Sequence, residues 1–136
     1  MRYLFLPVLL LVLVIGGIFF GERVIESLVF HPVAGSEIQP ERLGLQGEGV
    51  FLETEDGVRI HAFWLPVEKA TQAILFLHGN GGNASFALPS ASLFLRLGAS
   101  VLVLDYRGYG LSEGVPTEEG VYRDAQAGLA YLMEVQ

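Results

Sequence analysis

The chain has 136 residues, no cysteine and a formal net charge of −7 at pH 7, with eight lysine and arginine residues against fifteen acidic ones. This length suits one small domain, and the missing cysteines exclude disulfides, a thiol nucleophile and thiolate metal sites. Three scattered histidines do not form a zinc-binding pattern, and no basic cluster is present to neutralise nucleic-acid phosphates, so neither a metal nor a nucleic-acid partner is expected.

The chain opens with an apolar segment. No charged residue occurs from Tyr3 to Gly21, and about 20 apolar residues suffice to cross the hydrocarbon core of a bilayer. A cleaved secretory signal has a shorter apolar region and a site of small residues, whereas this one ends in Phe19-Phe20-Gly21-Glu22. We expect residues 1–21 to be an uncleaved single-pass anchor, with a cleaved signal or a buried core helix as alternatives.

The residues on either side of the apolar segment bear on its orientation. Arg2 precedes it and Arg23 comes after it, so the positive-inside rule barely distinguishes the two orientations. The N-terminal position favours an N-in arrangement, with the domain outside the cytoplasm. Residues 22–48 contain His31-Pro32, Gln39-Pro40 and several glycines, which break long helices, and we expect a connector there.

A hairpin is predicted next. Val50–Thr54 and Val58–Leu65 have the composition of strands, and Glu55-Asp56-Gly57 between them is typical of a hairpin turn. In the second strand, alternate residues separate into an apolar set and a set that contains His61. We therefore expect an antiparallel pair with one wetter face, and His61 on the surface.

The next segments predict a parallel α/β unit. Ala73–Leu77 and Ser100–Leu104 are continuous apolar runs, as in parallel strands that are covered on both faces. Ser85–Leu97 between them has helical spacing and precedes Gly98, a helix stop, so we expect a right-handed crossover. A last helix is expected from Thr117, its N-cap, to Leu132. One face of this helix is lined by Val121, Ala125, Leu129 and Leu132.

The most informative segment is the Gly-rich loop His78-Gly79-Asn80-Gly81-Gly82-Asn83, directly after an apolar strand. A turn at the end of a strand can point main-chain N–H groups at a developing negative charge, which is how an oxyanion hole is built. His78 has no identifiable acid or nucleophile as a partner, and we expect it to hydrogen-bond the loop. A function at Asn80 would depend on its backbone N–H.

This order of elements, together with Asp105-Tyr106-Arg107-Gly108-Tyr109-Gly110-Leu111-Ser112, resembles the first half of an α/β-hydrolase. Over about residues 50–136 the chain is most similar to the membrane-anchored branch described as serine aminopeptidase-like or dienelactone-hydrolase-like. The resemblance implies an α/β fold in which an antiparallel hairpin leads into a parallel sheet with flanking helices, here preceded by one transmembrane helix. It also implies a serine hydrolase that cleaves ester, thioester or amide bonds without a metal or organic cofactor.

The resemblance assigns site residues by position. Asn80 matches the family's oxyanion-hole N–H donor. In the second loop we expect Asp105 to order the Gly-rich loops and Arg107 to clamp carboxylate or carbonyl groups. The residues that match the oxyanion loop and its supporting loop are His78, Gly79, Asn80, Gly81, Asp105, Tyr106, Arg107 and Gly108.

The family's nucleophile, acid and catalytic histidine come later in the chain and have no counterpart in this sequence. We therefore expect residues 49–136 to be a partial hydrolase domain that ends before the nucleophile strand. In that case Ala73–Leu77 would have an open edge, and the chain alone would be inactive. Its expected partners are the membrane, a small-molecule or peptide acyl substrate and a missing C-terminal half.

Three other interpretations fit parts of the sequence. Gly110-Leu111-Ser112-Glu113-Gly114 matches G-x-S-x-G, but Val115-Pro116 comes directly after it, so Ser112 lacks the strand–helix context of a nucleophile elbow. Gly79-x-Gly81-x-x-Ala84 fits a dinucleotide-binding fingerprint, with Asp105 as the ribose ligand. A short anchored pseudo-hydrolase that serves as a binding or scaffold protein is the third alternative.

Overall fold

The N-terminal unit of the chain is one long apolar helix. In the computed structural model, which describes residues 2–36 and 38–135, helix α1 spans Arg2–Val29. An 18-residue window within its stretch Val8–Val29 has a mean hydropathy of 2.3. By length and composition this helix could cross a membrane. It continues beyond the predicted end of the anchor because residues 22–29 contain no proline or glycine. Met1, Glu37 and Gln136, which fall in the predicted anchor, connector and hydrolase domain, lie outside the described residues.

The second unit begins at His31 and alternates strands with helices. Beyond the predicted elements it contains two short strands and a 3₁₀ helix at Pro40–Leu43. The strands and helices are β1 His31–Pro32, β2 Glu48–Glu53, β3 Arg59–Leu65, β4 Ala73–Leu77, β5 Gly81–Gly82, α2 Ala84–Leu95, β6 Ser100–Leu104 and α3 Glu118–Val135. Because β1 pairs in parallel with β5, the predicted connector is partly engaged with the Gly-rich loop.

The main sheet has the strand order β2-β3-β6-β4. β2 pairs antiparallel with β3, and β3 pairs antiparallel with β6. β4 and β6 run parallel, with Leu75 opposite Leu102, and α2 lies between them in the chain. The hairpin and the parallel strand–helix–strand unit predicted from the sequence are confirmed. Within the described residues β4 is paired on one side only and forms an edge of the sheet.

Both faces of the sheet are covered at β3, which corrects the expectation for His61. Phe63 belongs to an apolar cluster with α2, whereas Ile60 belongs to a cluster with Leu132 of α3. Because helices lie on both sides, the alternation in β3 does not mark a wetter face. His61 is only 2% exposed, so the prediction of a surface histidine is wrong.

Helix α3 begins as predicted but presents a different face to the sheet. Thr117 Oγ1 accepts the N–H of Gly120 at 3.0 Å, as an N-cap does. Of the apolar residues that the sequence places on one face of α3, Leu132 is buried and Leu129 is 49% exposed. A Cβ at Gly128 would lie 2.8 Å from Leu75 Cδ1, so glycine allows the close approach of helix and strand. The buried positions recur at every fourth residue: Gly120, Asp124, Gly128 and Leu132.

Candidate functional site

The two loops singled out in the sequence meet at one edge of the main sheet. β4 and β6 are parallel neighbours, so their carboxyl ends lie side by side. β4 leads into the Gly-rich loop, residues 78–83, and β6 leads into residues 105–112. The candidate site is the place where these two loops contact each other.

Asp105 is the main connection between the loops and the fold. Its carboxylate is 1% exposed; Oδ1 accepts the N–H of Ala84 at 2.6 Å, and Oδ2 lies 2.8 Å from Nδ1 of His61. Gly110 has a φ of +54°, and a Cβ there would overlap this carboxylate, so only glycine fits beside it. Asp105 therefore holds β3, the start of α2 and its own loop together.

The hydroxyl of Ser112 binds the main chain of the same two residues, Asp105 and His61. Its Oγ donates to the carbonyl of Asp105 at 2.8 Å and accepts the main-chain N–H of His61, also at 2.8 Å. Glu113 N–H in turn donates to the carbonyl of Arg59. A hydroxyl used in this way supports a structural interpretation of the G-x-S-x-G match.

His78 lies beneath the Gly-rich loop with its side chain 5% exposed. Nδ1 lies 2.7 Å from the carbonyl oxygen of Gly79, which can only accept, so Nδ1 carries the proton in this contact. Nε2 is buried 3.9 Å from Oδ1 of Asp105 and has no hydrogen-bond partner among residues 2–36 and 38–135. The ring packs against Tyr106 and Tyr109, with centroids 4.9 and 5.2 Å away.

These contacts fix the orientation of two successive peptide groups. In a trans peptide the carbonyl and the N–H of the next residue point in opposite directions, and the described residues contain no cis bond. The Gly79 carbonyl points to His78, so the N–H of Asn80 points away from it. The Asn80 carbonyl accepts the N–H of His31 at 2.9 Å and the hydroxyl of Tyr109 at 2.7 Å, so the N–H of Gly81 points away from both.

The hydroxyl of Tyr109 remains a donor over the physiological pH range. Burial raises the pKa of Tyr109 above the ordinary value of 10.0. The phenol is therefore protonated at neutral pH and can donate to the Asn80 carbonyl. Tyr106, the neighbouring ring, has its pKa raised for the same reason.

Arg107 joins the second loop to two other elements. Its Nη1 and Nη2 donate to the two carboxylate oxygens of Asp56 in the hairpin turn, at 2.8 and 3.0 Å. Its Nε and its main-chain N–H donate to the carboxylate of Asp124 in α3, at 2.9 and 2.8 Å. Hydrogen bonding to Arg107 holds the pKa of Asp56 well below 3.8, and the same pairing raises the pKa of Arg107. The next residue, Gly108, has a φ of +78°, a left-handed backbone angle that favours glycine.

The N-terminus of α2 is already occupied by protein groups. Asn83 Oδ1 caps it by accepting the N–H of Ser85 at 3.0 Å, and Asp105 accepts the N–H of Ala84. A pyrophosphate would need those amides, and a ribose would need an accessible Asp105. These contacts disfavour the dinucleotide interpretation. Among residues 2–36 and 38–135, no group of three potential metal-ligating side chains is found.

A cavity of about 300 Å³ adjoins the Gly-rich loop. It lies between the end of β4 and the first turns of α2, and its lining includes His78, Gly79, Gly81, Phe76 and Phe86. It combines glycine backbone with aromatic walls, as small-molecule sites commonly do.

Several residues of the candidate site were not predicted from the sequence to be site residues. His61, Tyr109 and Asp124 contribute side-chain hydrogen bonds, and His31 and Asn83 bind main-chain groups in or next to the Gly-rich loop. Asn83 could have been found, because an asparagine directly before a helix is a strong N-cap signal. The main-chain donors have no side-chain signature.

Comparisons with known proteins agree with the fold. The chain is 37% identical over 128 residues to the α/β-hydrolase domain-containing protein WAV2 of Arabidopsis thaliana, a match that covers 88% of this chain and 42% of that protein. It is 34% identical over 99 residues to the protein bem46 of Schizosaccharomyces pombe, covering 70% of this chain and 33% of that one. It is also 35% identical over 94 residues to an uncharacterized membrane protein of Saccharomyces cerevisiae, covering 68% and 33%.

Solved structures show the same similarity. An esterase of Pyrococcus furiosus superposes with a TM-score of 0.68 at 26% identity, covering 78% of this chain and 41% of that structure. An α/β-hydrolase of Vibrio vulnificus superposes with a TM-score of 0.56 at 32% identity, covering 64% and 30%. No family model matches the chain.

The chain spans less than half the length of the curated relatives it matches. Its hairpin, its parallel strand–helix–strand unit and its apolar N-terminal helix agree with the fold expected from the sequence. The similarity in sequence to WAV2 and in structure to solved hydrolases shows that the chain belongs to the α/β-hydrolase superfamily.

Proposed function

We propose that this chain supplies the oxyanion-hole loop of a membrane-anchored serine hydrolase that acts on ester, thioester or amide bonds. One observation carries the proposal: the peptide groups of Asn80 and Gly81 are held by contacts from His78, His31 and Tyr109. Donors that are oriented before the substrate arrives stabilise a developing anion without reorganising during the reaction.

The chemistry assigned to the loop is stabilisation of an anionic oxygen. In acyl transfer a hydroxyl oxygen bonds to the substrate carbonyl carbon while a base takes the hydroxyl proton, and the carbonyl electron pair moves to its oxygen. When that pair returns, the bond to the leaving group breaks, and the base gives its proton to the leaving group. The N–H of Asn80 is proposed to donate to the oxygen while it is negative.

The nucleophile, the acid and the catalytic histidine are proposed to lie outside these 136 residues. Nδ1 of His61 contacts Asp105, and Nδ1 of His78 contacts the Gly79 carbonyl. In the described part of the chain, neither histidine ring has a hydrogen bond to a serine hydroxyl. The hydroxyl of Ser112 is engaged with main-chain groups. We therefore expect the chain alone to be catalytically inactive.

The cavity beside the loop is proposed to receive part of the substrate. Its aromatic wall includes Phe86, which is 51% exposed. Helix α1 is proposed to be the single membrane span, in an N-in orientation with the hydrolase domain outside the cytoplasm. A relative named as a membrane protein supports the span and does not bear on its orientation.

Two substitutions at one position test the oxyanion role. The protein is the full product of the reading frame that contains these residues, assayed with p-nitrophenyl esters and a fluorophosphonate label. Asn80→Pro removes the main-chain N–H, whereas Asn80→Ala keeps it. We expect Asn80→Pro to lower kcat by about 10²–10³-fold, the usual effect of losing one oxyanion donor, and Asn80→Ala to lower it far less.

Each outcome of this experiment decides something. Equal activity of the two variants would contradict the oxyanion role of Asn80, provided that both unfold at the parent temperature. A parent protein that neither hydrolyses esters nor reacts with fluorophosphonate would instead favour an anchored pseudo-hydrolase. Labelling of this chain alone at Ser112 would overturn the assignment of the nucleophile to other residues.

A further inference from the structure

Residues 31–36, here called the strap, come soon after helix α1 in the sequence and bind the Gly-rich loop. The N–H of His31 donates to the Asn80 carbonyl at 2.9 Å. The N–H of Val33 donates to the Gly82 carbonyl at 3.1 Å. The strap thus runs parallel to the loop and contacts the carbonyl groups of Asn80 and Gly82, the residues on either side of Gly81.

The strap also binds the second loop of the site. The N–H of Gly110 donates to the carbonyl of Val33 at 3.0 Å, and the N–H of Gly35 donates to the carbonyl of Gly110 at 2.7 Å. Gly110 is the residue that packs on the Asp105 carboxylate. One short segment therefore connects the two loops that form the candidate site.

A buried side chain connects the strap to helix α2. Asn83 is 2% exposed, and its Nδ2 donates to the carbonyls of Val33 and Gly35 at 3.1 and 2.9 Å. Its Oδ1 caps α2 through the N–H of Ser85. The Asn83 amide therefore binds the strap with its nitrogen and helix α2 with its oxygen. The strap is held by this side chain as well as by its main-chain hydrogen bonds.

We infer that the strap is a positioning element of the active site, which extends the proposed function and rests on it. A Gly-rich loop has many accessible backbone conformations, so it keeps one orientation only when outside contacts hold it. Among the described residues, the Asn80 carbonyl accepts from the hydroxyl of Tyr109 and from the N–H of His31 in the strap. The segment directly after the apolar helix thereby helps to orient the proposed oxyanion-hole loop, in addition to connecting the helix to the domain.

A pair of variants at one exposed position tests this role. His31→Pro removes the N–H that binds the Asn80 carbonyl, and His31→Ala keeps it. The first readout is the set of ¹⁵N order parameters of the Asn80, Gly81 and Gly82 amides in this 136-residue chain in micelles. We expect values of about 0.85 in the parent and in His31→Ala, and below about 0.6 in His31→Pro.

The second readout is catalysis by the full product of the reading frame. Here His31→Pro should lower kcat by about tenfold with KM unchanged, because the Asn80 N–H that the strap orients is proposed to bind the substrate oxygen only while it is negative, in the transition state. His31→Ala, which keeps this N–H, should lower kcat far less than His31→Pro does. The unfolding temperatures of the two variants should agree, which separates loop orientation from general stability.

The two readouts distinguish failure of the strap from failure of the hydrolase proposal. Equal order parameters in His31→Pro and His31→Ala would overturn the positioning role, whatever the activity. A mobile loop in His31→Pro together with a parent that does not react with fluorophosphonate would retain the strap as a loop clamp and overturn the serine hydrolase proposal. A mobile loop with unchanged kcat would overturn the inference that the strap serves catalysis.

Discussion

Nδ1 of His61 lies 2.8 Å from Oδ2 of Asp105, and the two side chains are 2% and 1% exposed. The other carboxylate oxygen accepts the first N–H of helix α2 at Ala84. One buried acid therefore joins the central strand β3 to the helix that comes after the Gly-rich loop. Acids that are buried in this way are retained when their hydrogen bonds are complete, because an unpaired polar group in the interior is costly.

Removing the Asp105 carboxylate should destabilise the fold strongly. Asp105→Ala leaves the His61 ring and the Ala84 N–H buried without an acceptor, at about 1–3 kcal/mol for each group. Asp105→Asn keeps one acceptor oxygen and should lose about half as much. The measurement is urea unfolding of the chain in micelles, monitored by Trp64 fluorescence. Glu113→Ala, at an exposed acid, is the control, and equal stability of Asp105→Ala and this control would contradict the role of Asp105.

The Ser112 hydroxyl should matter for stability and not for labelling. Ser112→Ala removes one donor and one acceptor, and leaves the His61 N–H without its partner, so we expect a loss of about 1–3 kcal/mol in the free energy of unfolding. Labelling of the full reading-frame product by fluorophosphonate should persist in this variant. Loss of labelling without loss of stability would show that Ser112 is a nucleophile after all.

Gly110 should be sensitive to substitution for a steric reason in addition to its backbone angle. Gly110→Ala forces a Cβ into the Asp105 carboxylate at a φ of +54°, whereas Gly57→Ala, at a φ of +76°, meets open space. Backbone strain alone costs about 1 kcal/mol in both, and the overlap adds to it only at Gly110. Unfolding midpoints of the two variants should therefore differ clearly, and indistinguishable midpoints would contradict the packing described for Gly110.

The Asp56–Arg107 pair should make stability depend on pH in the acid range. The folded-state pKa of Asp56 lies well below the ordinary value of 3.8 because Arg107 hydrogen-bonds the carboxylate. The unfolded chain therefore binds the proton first, and the contribution is fully present above about pH 5 and declines as the pH falls. Unfolding midpoints of the parent and Asp56→Asn, measured from about pH 6 down to pH 2.5, should converge in acid. A difference that stays constant would contradict this linkage.

Hydrophobic patterns predicted the order of elements because burial decides where apolar residues lie. The runs at Ala73–Leu77 and Ser100–Leu104 indicated parallel strands, and they pair as expected. Period-two alternation did not reveal that His61 is buried, since it cannot distinguish a central strand from an edge strand. Of the buried positions of α3 only Leu132 was on the apolar face expected from the sequence, because the others are two glycines and an acid, which apolar periodicity does not register.

Some residues of the candidate site could likewise be predicted from the sequence, and others could not. Asn80, Asp105 and Arg107 stand in motifs whose residue types suggest a role, so the sequence could single them out. The strap could not be found, because main-chain donors such as the N–H of His31 and the N–H of Val33 bind loop carbonyls regardless of side chain. Only three-dimensional contact shows that residues predicted to be a connector belong to the site.

The central claim is that the N–H of Asn80 binds an anionic oxygen during acyl transfer. The most direct measurement is a crystal structure of the full reading-frame product after reaction with a phosphonate, whose phosphonyl oxygen imitates that anion. We expect this oxygen within about 2.7–3.1 Å of the Asn80 nitrogen, with the Gly79 carbonyl still bound by His78. A phosphonyl oxygen held by other donors, with the Asn80 N–H turned away from it, would contradict the claim.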